Sequence, residues 1–176
     1  MTYSKRYQAI EELADYIRVK LEVKTPIDME QVVKSLNGDL QAESFEDSTI
    51  SGKIEKVGDA FKISYNKEHS PQRSGFTIAH EIGHLFLHMG YIIDPAKWDS
   101  INEYCDSPKY RQGYSVEEYE ANHFAGAFLM PKDDYENFLR ENGHNNKIDI
   151  SLIAEHFNVS FDAALTRGKW LGIFDW

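Results

Sequence analysis

The 176-residue sequence contains one cysteine, Cys105. A single thiol excludes an internal disulfide and every zinc or iron–sulfur site built from several cysteines. No apolar leader-like stretch follows Met1, so the expected compartment is a reducing cytosol. Long hydrophobic runs are missing too. A membrane-spanning helix needs ~20 consecutive apolar residues, and the candidates here, Leu85–Leu87 and Phe124–Met130, are short and interrupted. Internal repeats and low-complexity tracts are absent. Bases are in deficit: 19 Lys and Arg stand against 29 Asp and Glu, a formal net charge of −10. The excess gathers between Asp94 and Glu136, where ten acids meet four bases. That field opposes nucleic acid, whose binding relies on neutralised phosphates. It suits solubility, or a basic segment of a protein partner.

What is present reads as a soluble α+β protein. Hydrophobic content of 41% and charged content of 27% are ordinary for a globular chain, and this length supports one domain or one with a small appendage. Ile10, Leu13, Ala14, Ile17 and Leu21 follow helical spacing between Tyr7 and Val23. Asp28 can cap a short helix carrying Val32, Val33 and Leu36. Strand-like runs follow at Leu40–Phe45, Ser51–Lys56 and Ala60–Tyr65. The last two flank a turn and predict a hairpin in a small antiparallel sheet, with Ile54, Phe61 and Ile63 facing inward. Ser70-Pro71 is expected to close the sheet region, and Gly75–His88 to form an apolar helix. Gly90–Tyr114 reads mostly as loop. Val116–Met130 predicts a second apolar helix, stopped by Pro131. Shorter helices are expected around Asp133–Arg140, Ser151–Asn158 and Phe161–Leu171.

The chemistry lies in His80-Glu81-Ile82-Gly83-His84, inside the first apolar helix. Residues four apart share a helix face, so both imidazoles point the same way and can chelate one ion. Zinc fits two neutral imidazoles. Glu81 is turned away from direct ligation but close enough to take a proton from an attacking water and pass it to the leaving amine. Two buried histidines and an acid among apolar neighbours have no purpose without such a partner.

A catalytic zinc needs a third protein ligand. The residues three and six beyond His84 are Leu87 and Gly90, which excludes a metzincin arrangement. Glu117, Glu118 and Glu120 open the second apolar helix. Glu120 precedes Phe124 by four residues and Phe128 by eight, on the buried stripe, and is the expected ligand. Glu117 is the alternative, one turn earlier on a similar face. Acids in a first turn also complement the helix dipole, which accounts for two of the three.

The segments Phe76–His88 and Glu120–Pro131 together resemble the ImmA/IrrE family of zinc metallopeptidases. Ile63–Asn66, Arg73, Ala154–Ser160 and Arg167 extend the likeness over most of the chain from Pro26 onward. One departure is Gly126-Ala127-Phe128, which bears on packing more than on ligation. The resemblance implies zinc on His80, His84 and Glu120, with Glu81 as the base. It implies a zincin-like domain over residues 1–146 and a C-terminal, helix-turn-helix-like helical segment over 147–176. It also implies endoproteolysis of a helix-turn-helix transcriptional repressor of a mobile element or stress regulon. The alternative class is a non-catalytic zinc-binding antirepressor or toxin–antitoxin partner. Glu81 favours the enzyme, because a purely structural site has no use for a base.

Several residues invite other readings. His88 continues the spacing of His80 and His84, but a helix rises ~6 Å over four residues and drifts in angle, so it cannot complete the same coordination sphere. It is expected to support the site from outside. Tyr91, Tyr119 and His123 are open candidates for polarising a carbonyl, and Cys105 is expected to be inert. The tail resembles a DNA reader, yet Asp149–Trp176 carries four acids against two bases, with Arg167 and Lys169 near its end. A packing or repressor-docking role through Phe157, Val159 and Leu165 is expected instead, without DNA or membrane contact.

Overall fold

Short polar side chains start most of the helices in the computed structural model, which describes residues 5–47, 49–101, 115–143 and 148–176. Asp28, Ser70, Asp94, Asp149 and Ser160 each accept a hydrogen bond from a backbone N–H in the turn that follows. The order is α1 (Lys5–Lys20), α2 (Met29–Ser35), β1 (Gly38–Glu43), β2 (Gly52–Val57), β3 (Ala60–Asn66), α3 (Pro71–Leu87), α4 (Pro95–Ser100), α5 (Val116–Leu129), α6 (Lys132–Asn142), α7 (Ile150–Phe157) and α8 (Phe161–Trp170). The architecture is α+β, and among the described residues the strands all lie in the first half.

Two helix starts depart from expectation for one reason. α3 begins at Pro71 rather than Gly75, and α4 occupies part of the stretch read as loop. Each opens with a capping side chain followed by proline. At the first helical position proline lacks an N–H that has no partner anyway, and its fixed φ suits the helix.

β3 returns between the first two strands, giving the order β1-β3-β2. It is antiparallel to its hairpin partner β2 but parallel to β1, so the sheet is mixed rather than wholly antiparallel. Ile54, Phe61 and Ile63 are buried on its inner side, as their alternation predicts. Gly38 is required at the start of β1, where a β-carbon would lie 2.3 Å from the Phe61 ring.

By contacts the chain forms two compact units. The first, Asp28–Ala125, contains the sheet, α2, α3, α4 and the first part of α5. Tyr91 anchors its aromatic cluster, with ring centroids 5.2 Å from Phe61 and 4.8 Å from Trp98. The Tyr91 hydroxyl donates to the Leu36 carbonyl at 2.7 Å. Lys56 donates to the carbonyls of Trp98 and Ile101, tying β2 to α4.

The second unit joins Met1–Ile27 to Gly126–Trp176. Its buried Arg18 donates to the Phe128 carbonyl at 2.7 Å and lies 3.5 Å from Asp134. Arg167 donates to the Met130 carbonyl at 2.9 Å and grips Glu11 with both terminal nitrogens. Tyr135 stacks on Phe157, and its hydroxyl donates to the Ala164 carbonyl. The tail helices are thus built into this unit. Phe157 and Val159 are buried in it, which fits the packing role, of the two expected for them. Arg167 is likewise committed to Glu11. The domain boundary expected between residues 146 and 147, and Cys105, lie outside the described residues. Among those described, no helix is long and apolar enough to cross a membrane.

Candidate metal centre

Ile78, Ala79, Ile82, Leu85 and Phe86 bury α3 on several sides, which draws the polar residues between them into the interior. Glu81 is 2% exposed and His84 1%. Buried polar groups require partners, and these come from the first turns of α5. Gly83 makes the approach possible. A β-carbon there would lie 3.1 Å from both the Cα and the carbonyl oxygen of Ala121, so only glycine lets the helix backbones come this close.

Three ligand atoms converge across that contact. The Nε2 atoms of His80 and His84 lie 3.0 Å apart. Glu118 brings one carboxylate oxygen to 3.4 Å from His80 Nε2 and the other to 3.1 Å from His84 Nε2. Ligand atoms of all three residues lie within 4.8 Å of one another. Two imidazole nitrogens and a carboxylate oxygen are a donor set suited to zinc. Two ring nitrogens so close, faced by an anion, also suit a shared cation electrostatically. His80 Nδ1 donates to Asn122 Oδ1 at 3.1 Å, which leaves Nε2 as the lone-pair nitrogen.

The structure therefore brings Glu118, not the expected Glu120, to the imidazole pair. Glu120 is 4% exposed, so the stripe it shares with Phe124 correctly marks it as buried. Its carboxylate instead meets His88 Nε2 at 3.2 Å, and His88 Nδ1 lies 2.9 Å from His84 Nδ1. Two residues along a helix turn a side chain by ~200°, so Glu118 and Glu120 cannot serve the same point. Burial pushes the His88 imidazole below its ordinary pKa, against an upward pull from the Glu120 hydrogen bond. Asn122 and the His88–Glu120 pairing were not legible as site features. The available signal was spacing: Glu118 and Asn122 flank Ala121, the small residue opposite Gly83.

Glu81 reaches a cleft of about 280 Å³ lined also by Ser51, Gly52, Arg73, His80 and Glu118. Gly52, at the start of edge strand β2, keeps this space open. A β-carbon there would meet Thr77 at 2.5 Å and lie 3.5 Å from a Glu81 oxygen. Arg73 donates to the Ser51 hydroxyl beside it. Tyr91 is occupied by Leu36 and serves the core, whereas Tyr119 is exposed and His123 buried on α5.

No curated protein matches the chain significantly. Among solved structures it is similar to a Mycobacterium tuberculosis transcriptional regulator, with a TM-score of 0.60 and 17% identity. The match covers 90% of this chain but only 46% of the regulator, so the chain spans under half of that protein's length and the likeness concerns the fold. The family description Peptidase_M78, IrrE N-terminal-like domain, fits residues 33–169, which take in α3, α5 and every residue of the candidate centre; the chain belongs to that family.

Proposed function

We propose that the protein is a zinc-dependent endopeptidase of the cytosol whose substrate is a helix-turn-helix transcriptional repressor. The observation that carries this reading is the convergence of His80, His84 and Glu118 beside the buried Glu81 at an open cleft. His80, His84 and Glu118 would hold the zinc. When bound, zinc supplies Lewis acidity, which polarises the scissile carbonyl and makes water easier to deprotonate.

The remaining work falls to the chain itself. Glu81 accepts a proton from the attacking water as the new C–O bond forms. It then delivers that proton to the amide nitrogen as the C–N bond breaks. Asn122 fixes the His80 ring by accepting from Nδ1. β2 is an edge strand whose first residue lines the cleft, a setting suited to an extended peptide held by main-chain hydrogen bonds. The chain's net charge of −10 favours a basic segment of substrate.

The test is incubation of the zinc-loaded protein with the helix-turn-helix repressor encoded beside its gene. Cleavage is expected, chelation should stop it, and Glu81→Gln should slow it by about 10²–10⁴-fold while keeping its zinc. Wild-type protein that stays zinc-free under replete conditions overturns the reading, as does an active Glu81→Gln variant. Zinc-loaded protein that binds the repressor without cutting it would belong to the antirepressor class instead.

A further inference from the structure

We propose that His88 and Glu120 form an orienting arm for His84, fixing which of its ring nitrogens faces the metal; the inference rests on the metal-site reading above. The contacts admit one ordering of donors. His84 turns Nε2 toward His80 and Glu118, and Nδ1 toward His88 Nδ1 at 2.9 Å. A nitrogen that ligates must offer its lone pair, so the His84 proton resides on Nδ1. That N–H donates to His88 Nδ1, which is then the acceptor nitrogen of a neutral ring. His88 carries its own proton on Nε2 and donates it to Glu120 Oε2 at 3.2 Å. An ionised carboxylate only accepts, so Glu120 closes the series and gives it direction.

The local fold supports this chain. α3 ends at Leu87, and its C-cap His88 keeps right-handed helical backbone, its N–H donating to the His84 carbonyl at 2.9 Å. Its ring thus sits one turn beyond His84, with the two ring centroids 4.9 Å apart. The side chains of His88 and Glu120 are 7% and 6% exposed, which shields their hydrogen bonds from competing water. The two imidazoles of the centre are thus held unequally. His80 is steadied by a neutral amide, Asn122, whereas His84 is steadied through a second imidazole by a full negative charge. Such outer partners fix the tautomer and raise ligand basicity, and losing one typically costs about 10–100-fold in metal affinity. His88 and Glu120 are accordingly positioning residues.

The experiment measures zinc affinity of the full chain by competition with a chromophoric chelator, and the visible spectrum of the cobalt-substituted protein. His88→Phe keeps an aromatic ring but no acceptor, and Glu120→Leu removes the terminal anion. Each is expected to weaken zinc binding by about 10–100-fold at unchanged one-to-one stoichiometry and to shift the cobalt bands. His88→Asn, whose Oδ1 can replace Nδ1 as acceptor, should recover most of the affinity, which a merely space-filling role would not allow. Should His88→Phe fail to fold, the near-isosteric Glu120→Gln decides, with a smaller loss expected. Wild-type affinity in both His88→Phe and Glu120→Leu overturns the proposal and leaves the metal site standing. Loss of stoichiometric binding in Glu120→Gln, equal to that in Glu118→Gln, makes Glu120 a ligand and also overturns it. Wild-type protein that binds no metal refutes the metal-site reading first.

Discussion

The two compact units both bury charge, but they treat it differently. In the unit formed by Met1–Ile27 and Gly126–Trp176, the buried groups are cations that meet complementary partners. Arg18 holds the Phe128 carbonyl near Asp134, and Arg167 holds the Met130 carbonyl and Glu11. Those carbonyls lie at and just beyond the C-terminal end of α5, where helix carbonyls lack intrahelical partners and a positive charge is favoured. In Asp28–Ala125 Lewis bases gather on each other instead: the buried His80, His84 and Glu120 with the partly buried His88 and Glu118. Cations matched to carbonyls and carboxylates complete a structure. Converging lone pairs call for a cation from outside. The first pattern is architecture, and the second is chemistry.

The largest effect that would sharpen this contrast comes from Arg167→Met. The change strips Met130 of its donor and leaves Glu11 facing an apolar side chain. Breaking a buried pair from one side costs ~3–5 kcal/mol. At this chain length, the lower end of that range corresponds to a fall of roughly 6–12 °C in melting temperature. Zinc affinity should stay within about twofold of wild type. A stable variant with collapsed metal binding would show that Arg167 serves the site and would break the comparison.

Gly83→Ala probes the contact on which the chemical pattern depends. An added methyl would press on the Ala121 backbone at 3.1 Å and Phe124 Cβ at 3.3 Å. Overpacking costs ~1–3 kcal/mol, and better helix propensity returns about 1 kcal/mol. A net loss of at most about 2 kcal/mol is expected. Zinc binding should weaken by at least several-fold, because Glu118 is pushed from the imidazoles. Urea denaturation and chelator competition read the two effects separately. Unchanged zinc affinity would mean that Glu118 reaches the pair without close helix contact.

The contrast also explains what was legible in sequence. The shared face of His80 and His84 and the burial of Glu81 could be read directly, from helix spacing and an apolar setting. The hairpin was legible through the alternation of Ile54, Phe61 and Ile63. Burial of Glu120 was legible too, but its partner was not. A stripe gives the inward side of a helix, whereas the pairing depends on which turn of α5 faces which turn of α3. That register is set by Gly83 against Ala121, a tertiary contact with no periodic trace. Pro71 and Pro95 misled for a local reason, since a helix breaker and a first helical residue share one letter. Phe157 and Val159 were recognised as apolar, but whether such residues face a core or a partner is decided only by the chains that cover them.

The smallest effect belongs to Tyr135, a neutral member of the architectural pattern. It is 0% exposed, and its hydroxyl donates to the Ala164 carbonyl at 2.7 Å. Tyr135→Phe leaves that carbonyl without its donor, for an expected loss of about 1 kcal/mol at neutral pH. The same burial pushes the phenol up to about 12, despite a downward pull from Arg167. The unfolded chain releases this proton near pH ~10, before the folded protein does. The stabilising difference is therefore fully present below that pH and is lost as pH rises toward about 12. Wild type should lose stability across this window faster than Tyr135→Phe, whose position no longer titrates. Urea melts of both proteins at pH 8 and pH 11.5 isolate the residue, because the other tyrosines and lysines contribute equally to each. The wild-type advantage should shrink or reverse at the higher pH. An advantage that stays constant would mean that the Tyr135 phenol ionises as readily when folded as when unfolded, and that its burial carries no electrostatic cost.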